Sequence, residues 1–181
     1  HHGQCGLPGW VRTALVEKLH LCDIKPDRLA EVTRLYKPAS STLDYQDIIK
    51  NDAIRVVYVS TTPEANHYPI ARDCLRAGKN VMLEKPIALE LWEADELIQL
   101  AKRNNLKFTI GYSQRFNPKI AFAKKKITDG TLGSVVSVLV SRHLSRELGK
   151  KIASRVRLSP VVMESTHDLD FVFWLLEPAK P

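Results

Sequence analysis

Glu84-Lys85-Pro86 directly follows the apolar run Asn80-Val81-Met82-Leu83, which sets an acid, a base and a rigid turn at the end of a predicted strand. In open α/β sheets, ligands bind at the carboxyl ends of the strands. A lysine there can hold an oxygen of a cofactor or substrate, and the proline fixes the backbone that aims it. An ordinary strand-to-helix turn with a solvated Glu-Lys pair would read the same way. His167 is the second group of interest. It opens a helical apolar run of Leu169, Val172, Phe173 and Leu176, and an imidazole exchanges protons near neutral pH. Taken alone, it reads more readily as a histidine that caps and packs a helix start.

Regular elements must position these groups. Residues 54–59 are rich in β-branched side chains and bounded by polar ones, as in a buried parallel strand. Thr61 or Thr62 can cap the next helix, with Pro63 in its first turn and Glu64 near the positive end of its dipole. Amide donors free at such a helix start suit a dinucleotide phosphate or ribose. Ala65, Ile70, Ala71, Cys74 and Leu75 are expected to face the sheet, and Gly78 to end the helix in a left-handed conformation. A second helix over 90–104 places Leu91, Ala94, Leu97, Ile98 and Ala101 on one stripe, and 107–110 is the next strand. Strand alternating with helix implies parallel crossovers and a doubly wound sheet.

Ser60-Thr61-Thr62-Pro63, His67 four residues after the proline, Ala77-Gly78-Lys79 and Glu84-Lys85-Pro86 stand in an order that resembles the Gfo/Idh/MocA family of nicotinamide-dependent oxidoreductases. Further matches are Gly111-Tyr112-x-x-Arg115-Phe116-Asn117-Pro118, Gly130-x-x-Gly133 and His167-Asp168-Leu169-Asp170. The resemblance implies a Rossmann-type doubly wound parallel sheet followed by the start of an α+β substrate domain with a mainly antiparallel sheet. It implies hydride transfer between NAD, or NADP, and a CH–OH group of a sugar, cyclitol, nucleotide sugar or related compound. Lys85 and His167 would act on the substrate hydroxyl, as hydrogen-bond donor and base. Thr61, Pro63, His67, Glu84 and Lys85 would border the cofactor, with His67 bracing the loop beneath the nicotinamide. Tyr112 and Arg115 would border the substrate, Arg115 being suited to a carboxylate or phosphate. Many relatives carry an acid four residues before the histidine. Here that position is Met163 and the acid is Glu164, so Glu164 fills the role through a shifted turn or a residue is missing. Asp168 and Asp170 are expected to stabilise the helix start.

Upstream, 19–23 resembles the second strand of a dinucleotide fold ending in an acid. Asp23 can accept hydrogen bonds from both hydroxyls of the adenine ribose and repels a 2′-phosphate, which favours NAD, while Lys25 and Arg28 soften that preference. Gly3-x-x-Gly6-x-x-Gly9 departs from G-x-G-x-x-G, and no apolar strand precedes it. Taken alone, tag-like sequence beginning His1-His2 is an equal reading; given the motifs downstream, a fingerprint with residues absent is expected, and Gly6 and Gly9 are its candidates for the phosphate loop.

The chain has 181 residues, of which 44% are hydrophobic, enough to bury one core and part of another. Residues 1–111 read as a dinucleotide-binding domain and 112–181 as the opening of a substrate and oligomerisation domain. Within the latter, 118–128 reads as a helix and 134–141 as a Val-rich strand open on one side. Cys5, Cys22 and Cys74 have no metal-ligand spacing, and their odd number argues against a disulfide framework. No apolar run reaches about eighteen residues, and a cytoplasmic protein is expected. The net charge of +7 includes Lys124-Lys125-Lys126, with Arg142, Arg146, Arg155 and Arg157 further on. No nucleic-acid-binding pattern accompanies it, so a solvated basic face is expected. Apolar groups left over in 112–181 suggest a homo-oligomer, dimer or tetramer. A non-catalytic dinucleotide-binding sensor on the same fold, or a biliverdin-reductase-like enzyme, stays open as an alternative.

Overall fold

The computed structural model describes residues 16–143, 145–147, 150 and 160–178. Gly3, Gly6 and Gly9, Cys5, and Arg155 and Arg157 lie outside the described residues. The chain divides into two compact units, His1–Thr109 and Ile110–Pro181.

In the first unit strands and helices alternate, over 54–110 as the apolar pattern predicts. The order is β1 His20–Cys22, α1 Pro26–Tyr36, β2 Ser40–Thr42, α2 Tyr45–Lys50, β3 Val56–Val59, a 3₁₀ turn Glu64–Asn66, α3 His67–Arg76, β4 Asn80–Leu83, α4 Leu91–Arg103 and β5 Phe108–Ile110. β1 pairs in parallel with β2, His20 opposite Ser40. β3 pairs in parallel with β4, Val56 opposite Asn80 and Val59 opposite Leu83, and β5 lies on the other side of β4. Among the described residues the strands thus form two sheets, β1-β2 and β3-β4-β5. Strands pair only when about 4.8 Å apart. Instead β1 and β3 both border a cavity of about 520 Å³, lined among others by Leu21, Val57, Val59 and Cys74.

The core sits between α3, α4 and the larger sheet, where Leu75, Leu83, Leu97, Val81 and Cys74 are almost fully enclosed. Burying side chains of this size contributes about 1.5–3 kcal/mol each. A smaller cluster of Leu21, Leu29 and Val32 holds α1 to β1. Gly78 adopts φ +76, with its N–H donating to Leu75 O and that of Lys79 to Cys74 O. This is the left-handed helix end expected there. The α4 stripe is narrower than expected. Leu97 and Ala101 are buried, but Leu91 is 86% exposed and Ile98 also faces outward. Leu91 belongs to the opening turn, where Trp92 packs edge-on against Tyr68 of α3 instead. Ala65 is exposed because it belongs to the 3₁₀ turn, whose tighter winding takes it off the α3 face. Thr61 and Thr62 cap nothing: Pro63 occupies the position before that turn, and no side chain caps it.

The second unit contains a 3₁₀ turn Ser113–Phe116, α5 Pro118–Thr128 and α6 Pro160–Leu176. Asn117 caps α5 by accepting from the Lys119 N–H at 3.0 Å, and Pro118 takes the first helical position. Residues 134–141 form no strand, and Val136 and Leu139 are 95% and 92% exposed. A ladder needs a neighbour to bond, and among the described residues none lies alongside. Lys124 does not join a solvated basic face. Its ammonium donates to Trp174 O at 2.6 Å and Glu177 O at 3.3 Å, at the negative end of α6. His167 stands in the body of α6, which starts earlier at Pro160, so Asp168 and Asp170 do not mark a helix start.

Candidate active site

In the first unit the candidate groups gather at the carboxyl ends of β3 and β4. The Glu84 N–H donates to Val59 O at 2.9 Å, which carries the strand pairing one residue past β4. Lys85 follows and is 7% exposed, deep burial for a group that is ordinarily solvated. One Glu84 carboxylate oxygen accepts from the Tyr58 hydroxyl and the other from the Lys85 N–H at 3.3 Å. Tyr58 lies opposite Met82, so Glu84, two residues on, is its diagonal neighbour on the same face. That pairing was legible from strand register but was not anticipated.

His67 is 1% exposed and lies between two loop carbonyls, Pro86 O at 2.7 Å from Nδ1 and Thr61 O at 3.1 Å from Nε2. Carbonyls only accept, so the ring N–H donates to one of them in either tautomer. His67 thereby links the turn around Thr61 and Pro63 to the one around Lys85 and Pro86. Beside it, Thr61 Oγ1 and Glu64 Oε2 are buried with no hydrogen-bond partner among the described residues. Such atoms cost about 1–3 kcal/mol each unless something satisfies them. Its place near the helix start suggests only a dipole role for Glu64, but its 7% exposure makes it a buried acceptor.

At the end of β1, Asp23 is already engaged. Oδ1 accepts from the Lys25 N–H at 2.9 Å, and Oδ2 lies 3.2 Å from Arg28 Nε. Further along α3, burial pushes the Cys74 thiol up to about 12.

In the second unit, three residues from outside α6 brace the helix that carries His167. The Tyr112 hydroxyl lies 3.1 Å from Thr166 Oγ1, and its ring meets that of His167 edge-on at 6.2 Å. Arg115 grips Asp170 through Nε at 2.9 Å and Nη2 at 2.6 Å, with its guanidinium over the Trp174 ring. The hydrogen bond to Asp170 raises the Arg115 pKa. Arg142 grips Asp168 with two bonds of 2.6 Å and reaches Glu164 at 3.5 Å. Asp168 and Asp170 therefore receive arginines, and Arg142 belongs to this network rather than to a basic surface. Local spacing gives no signal for a pair so far apart in sequence. Among the described residues, no three metal-ligating side chains come together, and no helix is long and apolar enough to cross a membrane.

Residues 6–112 match the oxidoreductase family with an NAD-binding Rossmann fold. The chain is 32% identical over 120 residues to oxidoreductase P35 of Formosa agariphila, a match covering 66% of this chain and 37% of that protein. It is 31% identical over 128 residues to levoglucosan dehydrogenase of Pseudarthrobacter phenanthrenivorans, covering 71% and 33%. These matches span about a third of the length of those relatives. The fold superimposes on scyllo-inositol dehydrogenase of Lactobacillus casei, solved with NAD(H) and scyllo-inositol bound, with a TM-score of 0.83 and 23% identity; 97% of this chain and 53% of that one are covered.

Proposed function

Because the chain belongs to the Gfo/Idh/MocA oxidoreductase family, with its NAD-binding Rossmann fold, we propose that its protein is an NAD(P)-dependent dehydrogenase of sugars, cyclitols or related CH–OH compounds. The observation that carries this reading is the buried Lys85 at the end of β4, on a turn fixed by Glu84 and His67. The dehydrogenase named for levoglucosan, a relative in sequence, supports a carbohydrate-like substrate.

The buried, unpartnered Thr61 Oγ1 and Glu64 Oε2 suit ribose hydroxyls, which both donate and accept. Thr61, Pro63, Glu84 and Lys85 border the nicotinamide end, His67 supports their loops, and Asp23 meets the adenine ribose. Gly6 and Gly9 take the phosphates. The bound dinucleotide supplies a hydride acceptor, and the protein supplies orientation and proton handling. In the oxidation direction His167 removes the hydroxyl proton as general base, with Glu164 as its acidic neighbour on α6. Lys85 donates a hydrogen bond to the substrate oxygen and stabilises its developing negative charge. Tyr112 borders the substrate, as does Arg115 with the N–H groups that Asp170 leaves over. The reading includes a cytoplasmic location and a dimeric or tetrameric assembly, the latter supported by the exposed Val136 and Leu139.

Incubating the protein and NAD or NADP with a panel of sugars, anhydrosugars and cyclitols, while following reduced nicotinamide by absorbance, tests the activity. Turnover of at least one polyol is expected. Tight dinucleotide binding with no turnover across the panel would turn the reading into a non-catalytic sensor.

A further inference from the structure

We infer that Arg142 is a positioning residue for the proposed base: it engages Glu164 and Asp168 beside His167, so that the imidazole stays neutral and able to take a proton near neutral pH. This rests on the reading of His167 above and names the residue that sets its charge. Side chains three or four positions apart on a helix are neighbours. Glu164 stands three positions before His167 and four before Asp168, one turn before both on α6. Asp168 adjoins His167 in the chain, so two carboxylates lie beside one ring. Nearby negative charge favours the charged form of an imidazole. With both nitrogens donating, an imidazolium has no lone pair left to accept the substrate proton.

All three guanidinium nitrogens of Arg142 face these acids. Nε and Nη2 each bond Asp168 at 2.6 Å, and Nη1 lies 3.5 Å from Glu164 Oε2. The side chains of Glu164 and Asp168 are 19% and 13% exposed, which limits screening by solvent and salt. The hydrogen bond to Asp168 raises the Arg142 pKa, so the countercharge is present throughout the working pH range. Among the described residues, the neighbouring groups that reach α6 meet other partners. Arg115 of the 3₁₀ turn holds Asp170, Lys124 of α5 holds the last carbonyls, and the Tyr112 hydroxyl, uncharged at neutral pH, meets Thr166. His143, beside Arg142, lies 3.1 Å through Nε2 from Ser141 Oγ. Two acids and one guanidinium leave one net negative charge, which steadies the imidazolium once proton transfer has formed it.

NMR titration of the full chain reads this without a substrate. The Cε1–H resonance of His167 is identified by its loss in His167→Ala, and its titration midpoint is followed with pH. Arg142→Gln should raise that midpoint by about one unit, the lower end of the effect of a charge at this range. Arg142→Lys keeps the charge without the fork and should reverse most of the shift. Arg142→Gln combined with Asp168→Asn removes one charge of each sign and should titrate close to the unmodified protein. In kinetics, one unit appears as kcat/KM about tenfold lower on the acid side of the pH profile, with the alkaline plateau little changed. An unmoved midpoint, or a loss of activity equal at every pH, overturns the inference. Should Arg142→Gln fail to fold, Asp168→Asn alone decides: it should lower the midpoint, and an unmoved one overturns the inference equally. If the midpoint moves as expected while His167→Ala keeps full turnover, it is the base reading that fails, and the positioning role falls with it.

Discussion

Lys85 and His167 divide the proposed chemistry, and their substitution separates chemistry from binding. Lys85→Ala and His167→Ala should each lower kcat about a hundredfold or more, the scale of general acid–base catalysis, while dinucleotide affinity changes only a few-fold. Steady-state kinetics on the true substrate together with calorimetry check this, and full turnover in His167→Ala would put the base elsewhere. The cysteines give a test independent of activity. Cys74 is 1% exposed with its thiol pushed up to about 12, whereas Cys22 is exposed and raised by partial burial and by the charge of Asp23. A higher pKa means less thiolate at a given pH. Alkylation at mildly alkaline pH should therefore modify Cys22 before Cys74 and leave Cys74 untouched until the protein is denatured, as peptide mass spectrometry would resolve. At this scale the sequence revealed reactive types but not partners. Lys85 and His67 were legible from motif spacing. The engagement of Arg115 by Asp170 and of Arg142 by Asp168 was not, because each pair joins residues far apart in the chain.

Helix ends are the elements whose energetics can be isolated most cleanly. At Gly78 an added methyl group would meet open space, so the conformation at φ +76 and not crowding requires glycine. Gly78→Ala should destabilise the first unit by about 1–2 kcal/mol, measured by denaturant unfolding. Lys124→Met should remove the ammonium from the last carbonyls of α6 and lower stability by about 1–2 kcal/mol. Hydrogen exchange should quicken at the C-terminal end of α6 and not in α3. The helices and strands over 54–110 were readable because 3.6-residue periodicity and turn residues are local properties, whereas β2 Ser40–Thr42 and the six-residue α2 are too short to show a period. The expected strand over 134–141 failed for the opposite reason: alternation supplies a face, but only a neighbouring chain supplies the hydrogen bonds.

The whole molecule is uneven in how firmly its segments are held. β3, β4, α3 and α4 share one core, whereas 134–141 lies open with Val136 and Leu139 exposed. Limited digestion with elastase, which cuts beside small apolar residues, should open 134–141 before any site between β3 and β4. First cuts inside α3 would contradict that ranking. The net charge of +7 is also less uniform than a residue count suggests, since Arg28, Arg115, Arg142 and Lys124 each hold an acid or a helix end. One small contact reaches further. His67 spans from Thr61 O to Pro86 O, so the two turns it joins are set at one separation by a single ring. Neither turn can gain or lose a residue without breaking that span unless the other compensates. Over evolutionary time their lengths should drift together or not at all, and a designer transplanting one loop between relatives would have to carry the other with it.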